Sequence, residues 1–210
     1  MTRRRRAWGG LVQLGLPGLI LLASACASAP DPPPAAELVR PEWRAGDRWL
    51  FRRTSALGPT TLATHEVTEV TPEGYTMRIT RLNREITRYW TRELHVSRQT
   101  AGGRPLNRFE PAAMYFLWPL APGRAWQQEF EYVDGRNDGR YTNSWRVAPQ
   151  AETVEVVAGW FVALKIERLG AAGERLDTYW YVPAVRYWVR LEDHVDRYAE
   201  DLVEFRPGPS

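Results

Sequence analysis

Cysteine occurs once in the 210 residues, at Cys26, so no internal disulfide can form and the fold must rest on packing. Lysine is just as scarce, with Lys165 standing alone among arginines. The formal charge of +3 owes everything to Arg3, Arg4, Arg5 and Arg6; from Cys26 onward 24 basic side chains face 25 acidic ones. That balance removes the basis for a nucleic-acid partner or a polybasic membrane surface. Long apolar runs are missing too. The one candidate, Ala7 to Leu22, is broken by Pro17 and four glycines, which argues against a spanning helix.

Catalytic patterns are equally thin. No Ser stands in a Gly-x-Ser-x-Gly elbow and no Ser-x-x-Lys occurs. His65-Glu66 leads to Glu69, not to a second histidine, so zinc-protease spacing is absent. Asp134 to Gly139 has a calcium-loop look, yet Arg136 fills the third position and Trp145 the twelfth, which favours a glycine-assisted hairpin. The acidic segment Glu192, Asp193, His194, Asp196, Glu200, Asp201 and Glu204 reads as a solvated charged face. Its Leu191, Val195, Tyr198 and Leu202 have helical spacing, while Asp201 to Arg206 suits a closing strand, so its conformation stays open. These absences predict a non-enzyme with no metal and no cofactor.

What is present begins with the leader. Four arginines, an apolar segment and the small residues Ala23, Ser24 and Ala25 precede Cys26, the order of a signal peptide. The stretch from Leu19 to Cys26 resembles a bacterial lipobox. That resemblance implies removal of residues 1–25, a diacylglycerol thioether on Cys26 and a membrane tie through lipid. Plain secretion after a cut at Ala29 is the alternative, although Pro30 would then follow the cut directly. Ala27, where an aspartate would imply retention in the inner membrane, implies sorting to the outer membrane, periplasmic face. Residues 26–40 form the anchor and a proline-rich tether able to hold a domain roughly 30 Å from the bilayer.

From Pro41 the dominant signal is alternation. Trp49, Phe51 and Arg53 share one face of a strand, and similar runs follow at 60–70, 75–82, 85–91 and 94–100, separated by Gly- and Pro-containing turns such as Leu57-Gly58-Pro59. The pattern then repeats in order. Gly46-Asp47-Arg48-Trp49 is answered by Gly123-Arg124-Ala125-Trp126, Gly74-Tyr75 by Gly159-Trp160, and Arg88-Tyr89-Trp90 by Thr178-Tyr179-Trp180. This predicts an all-β domain over 41–206, built from two similar antiparallel units (about 41–105 and 118–206, each of about five strands) as a β-sandwich or a strongly curved, partly closed sheet. Its expected inward face includes Trp49, Phe51, Trp126, Phe130, Trp160, Val162, Leu164, Ile166 and Tyr179.

Between the units, Phe109 to Leu120 is the most apolar stretch after the leader. It reads as a crossover that plugs the core; the alternative is an aromatic lip over a ligand cavity, formed by Met114, Tyr115, Phe116 and Trp118. The nine tryptophans beyond the leader divide the same way, between core packing and a cavity lining, with their repetition favouring packing.

The segment GWFVALKIERLG from Gly159 and TYWYVPAVRYWVRLE from Thr178 resemble uncharacterised proteobacterial lipoproteins with a Gly-aromatic strand followed by a Tyr-Trp-Tyr-x-Pro strand. More distantly, strand order and aromatic content resemble the periplasmic lipoprotein carrier and its outer-membrane receptor. The expectation is an envelope lipoprotein acting as a binding or scaffold module for an envelope protein partner. The alternative, which the carrier resemblance implies, is a carrier or receptor with an apolar cavity for lipid or an acylated ligand.

Overall fold

The computed structural model describes residues 37–209 except Leu57 and Asn83, so the leader, Cys26, Ala27, most of the tether and one residue of the Leu57-Gly58-Pro59 turn lie outside the described residues. Thirteen strands follow one another: β1 (Arg48–Ser55), β2 (Gly58–Val70), β3 (Gly74–Arg81), β4 (Arg84–Thr91), β5 (Val96–Ala101), β6 (Arg104–Ala113), β7 (Ala125–Val133), β8 (Gly139–Val147), β9 (Glu152–Val156), β10 (Gly159–Leu169), β11 (Arg175–Val182), β12 (Tyr187–Asp193) and β13 (Tyr198–Arg206). Every strand pairing among the described residues is antiparallel, and apart from β9 each strand bonds to its neighbours in sequence.

The last strand returns to the first. β13 pairs with β1 from Arg48↔Arg206 to Ser55↔Tyr198, and β10 joins β8 on one side and β11 on the other. The result is a closed barrel of twelve strands, with β9 left outside the ring. The all-β, antiparallel expectation holds, but the sandwich or partly closed sheet does not. Closure satisfies the backbone groups that an open sheet would leave at its two edges. Six staves come from residues 48–113 and six from 125–206.

Alternation sends one face of each stave into the lumen. Trp49, Phe51, Met77, Ile79, Trp90, Trp145, Ile166, Tyr187 and Trp188 are fully or almost fully buried there. The opposite face is charged: Asp201 bridges Arg52 and Arg190, Glu167 bridges Arg146 and Arg175, and Glu66 pairs with Arg78. An outer wall of this kind suits water, not the apolar band a membrane-spanning barrel presents to lipid. Among the described residues no helix is long and apolar enough to cross a membrane.

One end of the barrel is stoppered. Trp43 is buried ahead of β1, its indole donating to the Arg186 carbonyl at 2.8 Å, and Trp49 donates to the Val185 carbonyl at 2.8 Å. The crossover between β6 and β7 seals the same end, with Phe116 and Leu120 buried and Leu120 bridged to Leu38. Phe109 to Ala113, expected as part of that crossover, instead completes β6.

Two expected inward residues are misplaced. Trp160 is 54% exposed and Val162 only partly buried, because Gly159 to Ala163 pair with β9, and β10 meets β11 only from Leu164. The β9–β10 hairpin lies on the barrel's outer side, where Arg190 donates to the Glu155 carbonyl at 2.8 Å and Ala158 N–H to the Leu202 carbonyl at 2.8 Å. The segment 193–201, ambiguous in sequence, is the end of β12, a tight turn and the start of β13.

Candidate functional site: a polar cavity in the barrel lumen

Three inward stripes share a pattern in sequence: Trp49-x-Phe51-x-Arg53 on β1, Met77-x-Ile79-x-Arg81 on β3 and Leu164-x-Ile166-x-Arg168 on β10. These strands run in one direction around an alternating ring, so each stripe is apolar at the stoppered end and ends in arginine at the other. Arg88 on β4, opposite Met77, adds a fourth guanidinium from a strand running the other way. The lumen is therefore layered, aromatic at one end and charged at the other.

In the charged layer lies a partly open cavity of about 230 Å³, lined by Arg81, Arg88, Arg168, Gln99 and Tyr115 together with Asp177, Tyr179 and the rim residues Asp193, Asp196 and Tyr198. Ile86, Trp188 and Leu191 supply its apolar lining. A shallower groove runs over the β1–β2 and β12–β13 turns past His194 and Arg197, and another lies beside Tyr89 and Arg98. Neither collects buried charge as the lumen does.

The charges in and around the cavity are partnered unequally. Arg53 donates to Glu200 Oε1 at 2.8 Å and stacks on the Tyr198 ring 3.2 Å from its centroid. Arg168 is bound to Asp177, which also accepts the Tyr179 hydroxyl at 3.1 Å. Asp193 Oδ1 accepts the backbone N–H groups of Val195 (3.0 Å) and Asp196 (2.7 Å), capping the β12–β13 turn. Asp196 is exposed at the rim. No described carboxylate lies in an ion pair with Arg81 or Arg88, and the Nε of each is buried without a hydrogen-bond partner. Burial pulls the Arg81 guanidinium below its ordinary range, Glu200 opposes that pull, and repulsion from Arg53 and Arg88 adds to it.

His65 sits directly beneath this layer. Its Nδ1 is 3.3 Å from the Tyr187 hydroxyl, and its Nε2 is 3.8 Å from Glu200 Oε2. Burial, followed by repulsion from Arg88, Arg81 and Arg53, holds its pKa well below the usual histidine range. The imidazole is therefore neutral at neutral pH and its contact with Glu200 is no ion pair. Burial likewise raises the hydroxyls of Tyr179, Tyr187 and Tyr198 above the ordinary phenol range, so each is a neutral donor.

Of the four residues expected to form a lip, Tyr115 lines the cavity and stacks edge-on against Tyr179, with ring centroids 5.9 Å apart. Phe116 is buried between Trp118, Tyr181 and Trp188. Met114 is held at its backbone N–H by Gln128 Oε1 at 2.7 Å, and Trp118 packs on Tyr181. Cys26 and Ala27 lie outside the described residues. The acidic segment is dispersed by strand alternation: Glu200 turns inward, Asp201 outward, and Asp193 and Asp196 sit at the rim. Asp134 and Asp138 cap the β7–β8 hairpin through backbone N–H groups, as the glycine-assisted turn requires. Arg81, Arg88 and Arg168 are not marked as site residues by the sequence reading, although arginine closing an otherwise apolar inward stripe is the signal for Arg81 and Arg168.

No family model matches the chain, and no curated protein matches it. Solved structures do resemble it at low identity. A candidate exported protein of Bacteroides fragilis, described as having a YmcC-like fold, is 15% identical with a TM-score of 0.43, covering 81% of this chain and 100% of that one. The hypothetical lipoprotein YmcC of Escherichia coli is 11% identical with a TM-score of 0.41, covering 78% and 86%. A candidate lipoprotein of Parabacteroides distasonis is 14% identical with a TM-score of 0.37, covering 80% and 97%.

Proposed function

We infer that this chain is an envelope lipoprotein, acylated on Cys26 and sorted through Ala27 to the periplasmic face of the outer membrane, whose barrel is a non-enzymatic binding module. The observation that carries the binding half is the water-accessible polar cavity in a lumen otherwise filled by aromatic side chains. Close packing needs no such opening, and a concave site with a few convergent polar groups is the usual form of a ligand site.

The chemistry of the lining favours holding over reacting. Two of its three carboxylates are committed, Asp177 to Arg168 and Tyr179, and Asp193 to the turn, while Asp196 stands exposed at the rim. Tyr179 and Tyr198 are held protonated by burial, and guanidinium is a poor base. The carrier reading, which needs an apolar cavity, draws little support here because seven of the nine tryptophans beyond the leader are buried in the core and the exposed Trp160 lies on the outer hairpin.

Two measurements test the proposal. Cys26→Ser should abolish lipid labelling and release the protein from the membrane fraction; undiminished attachment would sink the anchor. Native mass spectrometry of the full chain from envelopes should find a small molecule retained at 1:1 and displaced by Ile86→Trp, which fills the cavity from its apolar lining. A wild-type barrel that is empty, and whose melting no small-molecule envelope fraction raises, would overturn the lumenal site.

A further inference from the structure

The lumen carries two positive charges, on Arg81 and Arg88, that no carboxylate of the described residues pairs with directly. Three arginines and three aspartates line the cavity, so a bare count suggests balance. Geometry says otherwise: Asp177 is spent on Arg168, Asp193 on backbone N–H groups, and Asp196 stands in water at the rim. Glu200 holds Arg53 through Oε1, and although its charge also favours that of Arg81, its Oε2 makes no hydrogen bond to either Arg81 or Arg88. Burial works against charge on Arg88, yet its guanidinium stands above its ordinary range; the groups that favour the charge include the phenols of Tyr187, Tyr198 and Tyr179, which are protonated at neutral pH and supply no countercharge. The Trp90 ring, 5.6 Å from Arg88, is its one cation–π partner among the described residues. Buried charge without a counter-ion is strongly unfavourable.

We propose that the lumenal cavity binds a dianionic phosphoryl group, a phosphomonoester, between the guanidiniums of Arg81 and Arg88, with Gln99 and Tyr115 as neighbouring polar contacts. The inference rests on the lumenal site proposed above and adds the class of its ligand. Two unmatched cations call for one dianion, and a phosphomonoester carries about −1.5 to −2 at pH 7. The planar fork of arginine matches phosphate oxygens two at a time, and the enclosed setting strengthens each contact. At about 230 Å³ the cavity holds a head group and not an acyl chain, which would have to leave through the rim past Leu191, Asp193 and Tyr198. The same chemistry could belong to a soluble phosphate ester or to the head group of a lipid.

The test is calorimetric titration of the full chain in neutral detergent with glycerol 3-phosphate, inorganic phosphate, succinate and dihexanoyl phosphatidic acid below its micelle concentration. Glycerol 3-phosphate should bind 1:1 and weaken as salt rises. Arg81→Gln and Arg88→Gln should each weaken it at least 10-fold, and the double variant should abolish it. Phosphatidic acid binding 10-fold tighter than glycerol 3-phosphate would assign the group to a lipid; equal affinities would assign it to a soluble ester. Succinate binding in place of either phosphate would overturn the phosphoryl class. Folding is controlled by melting in phosphate-free buffer, where the single variants should melt no lower than wild type because an unmatched charge has gone. Variants that melt well below wild type there would show that the protein itself neutralises Arg81 and Arg88, and would overturn the proposal. A cavity that retains an uncharged envelope molecule displaced by Ile86→Trp, yet ignores every phosphate, would refute the phosphoryl inference and leave the lumenal site standing.

Discussion

Arg186 donates to Asp47 Oδ1 at 2.9 Å across 139 positions of sequence, joining the turn before β12 to the entry of β1. The same carboxylate, fully buried, accepts Gly208 N–H at 2.7 Å and Arg44 N–H at 2.9 Å. One side chain thus gathers the chain's approach to β1, the β11–β12 connection and the tail after β13 at the stoppered end.

Asp47→Ala should therefore be among the most damaging single changes. It strands Arg186 and leaves two backbone donors without partners, so the expected loss is about 3–5 kcal/mol of unfolding free energy. Urea denaturation followed by tryptophan fluorescence measures it. A loss under 1 kcal/mol would mean that water replaces the carboxylate at this end.

Gly74 and Gly58 offer a matched contrast. A Cβ on Gly74 would stand 1.9 Å from the Trp90 carbonyl oxygen, on the neighbouring strand, whereas at Gly58 nothing lies within 4 Å. Gly74→Ala forces β3 and β4 apart and should cost more than about 3 kcal/mol or prevent folding, while Gly58→Ala should stay within about 0.5 kcal/mol of wild type. Thermal melts of the two variants side by side are sufficient. Equal melting temperatures would show that the β3–β4 pair can open at Gly74 without cost.

The tryptophans should divide by position. Trp49 is completely buried and stacks on Phe205, while Trp160 is 54% exposed on the β9–β10 hairpin. Trp49→Ala should cost about 3–5 kcal/mol and Trp160→Ala under about 1 kcal/mol. Acrylamide quenching adds a second readout, since removal of Trp160 should delete the most accessible part of the emission. Loss of folding in Trp160→Ala would instead show that the hairpin is a structural clamp on the outer wall.

The strands were largely legible in the sequence because a two-residue period survives wherever one face meets a lumen and the other meets water. The expected runs at 75–82 and 85–91 fall almost on β3 (Gly74–Arg81) and β4 (Arg84–Thr91). Closure was not legible. It depends on β13 pairing with β1, a contact between the two ends of the domain that no local pattern encodes. Trp160 misled for a related reason: the paired motif Gly74-Tyr75 enters the ring, but Gly159 to Ala163 pair with β9 instead. As for the site, Arg53 was visible on the same face as Trp49 and Phe51. That it has a carboxylate partner while Arg81 does not is decided by which strands meet across the lumen, and alternation is silent on that.

His65 gives the pH dependence. In the folded state its pKa is depressed, first by burial and then by Arg88, Arg81 and Arg53, while unfolded it titrates near 6.5. Below about pH 6.5 the unfolded chain takes up a proton that the folded chain refuses, so stability present above that pH is lost as pH falls. The carboxylates facing the ring complicate the absolute curve, Glu200 at 3.8 Å above all, so the useful quantity is a difference. His65→Gln keeps a side chain able to bond Tyr187 and removes the titration. Urea midpoints should be compared from pH 7.5 to 5.0 for both proteins. Wild type should lose stability faster below about pH 6.5, by up to about 1.4 kcal/mol for each further pH unit relative to the variant. Parallel curves would show that His65 accepts its proton in the folded barrel, which the arginine layer above it should forbid.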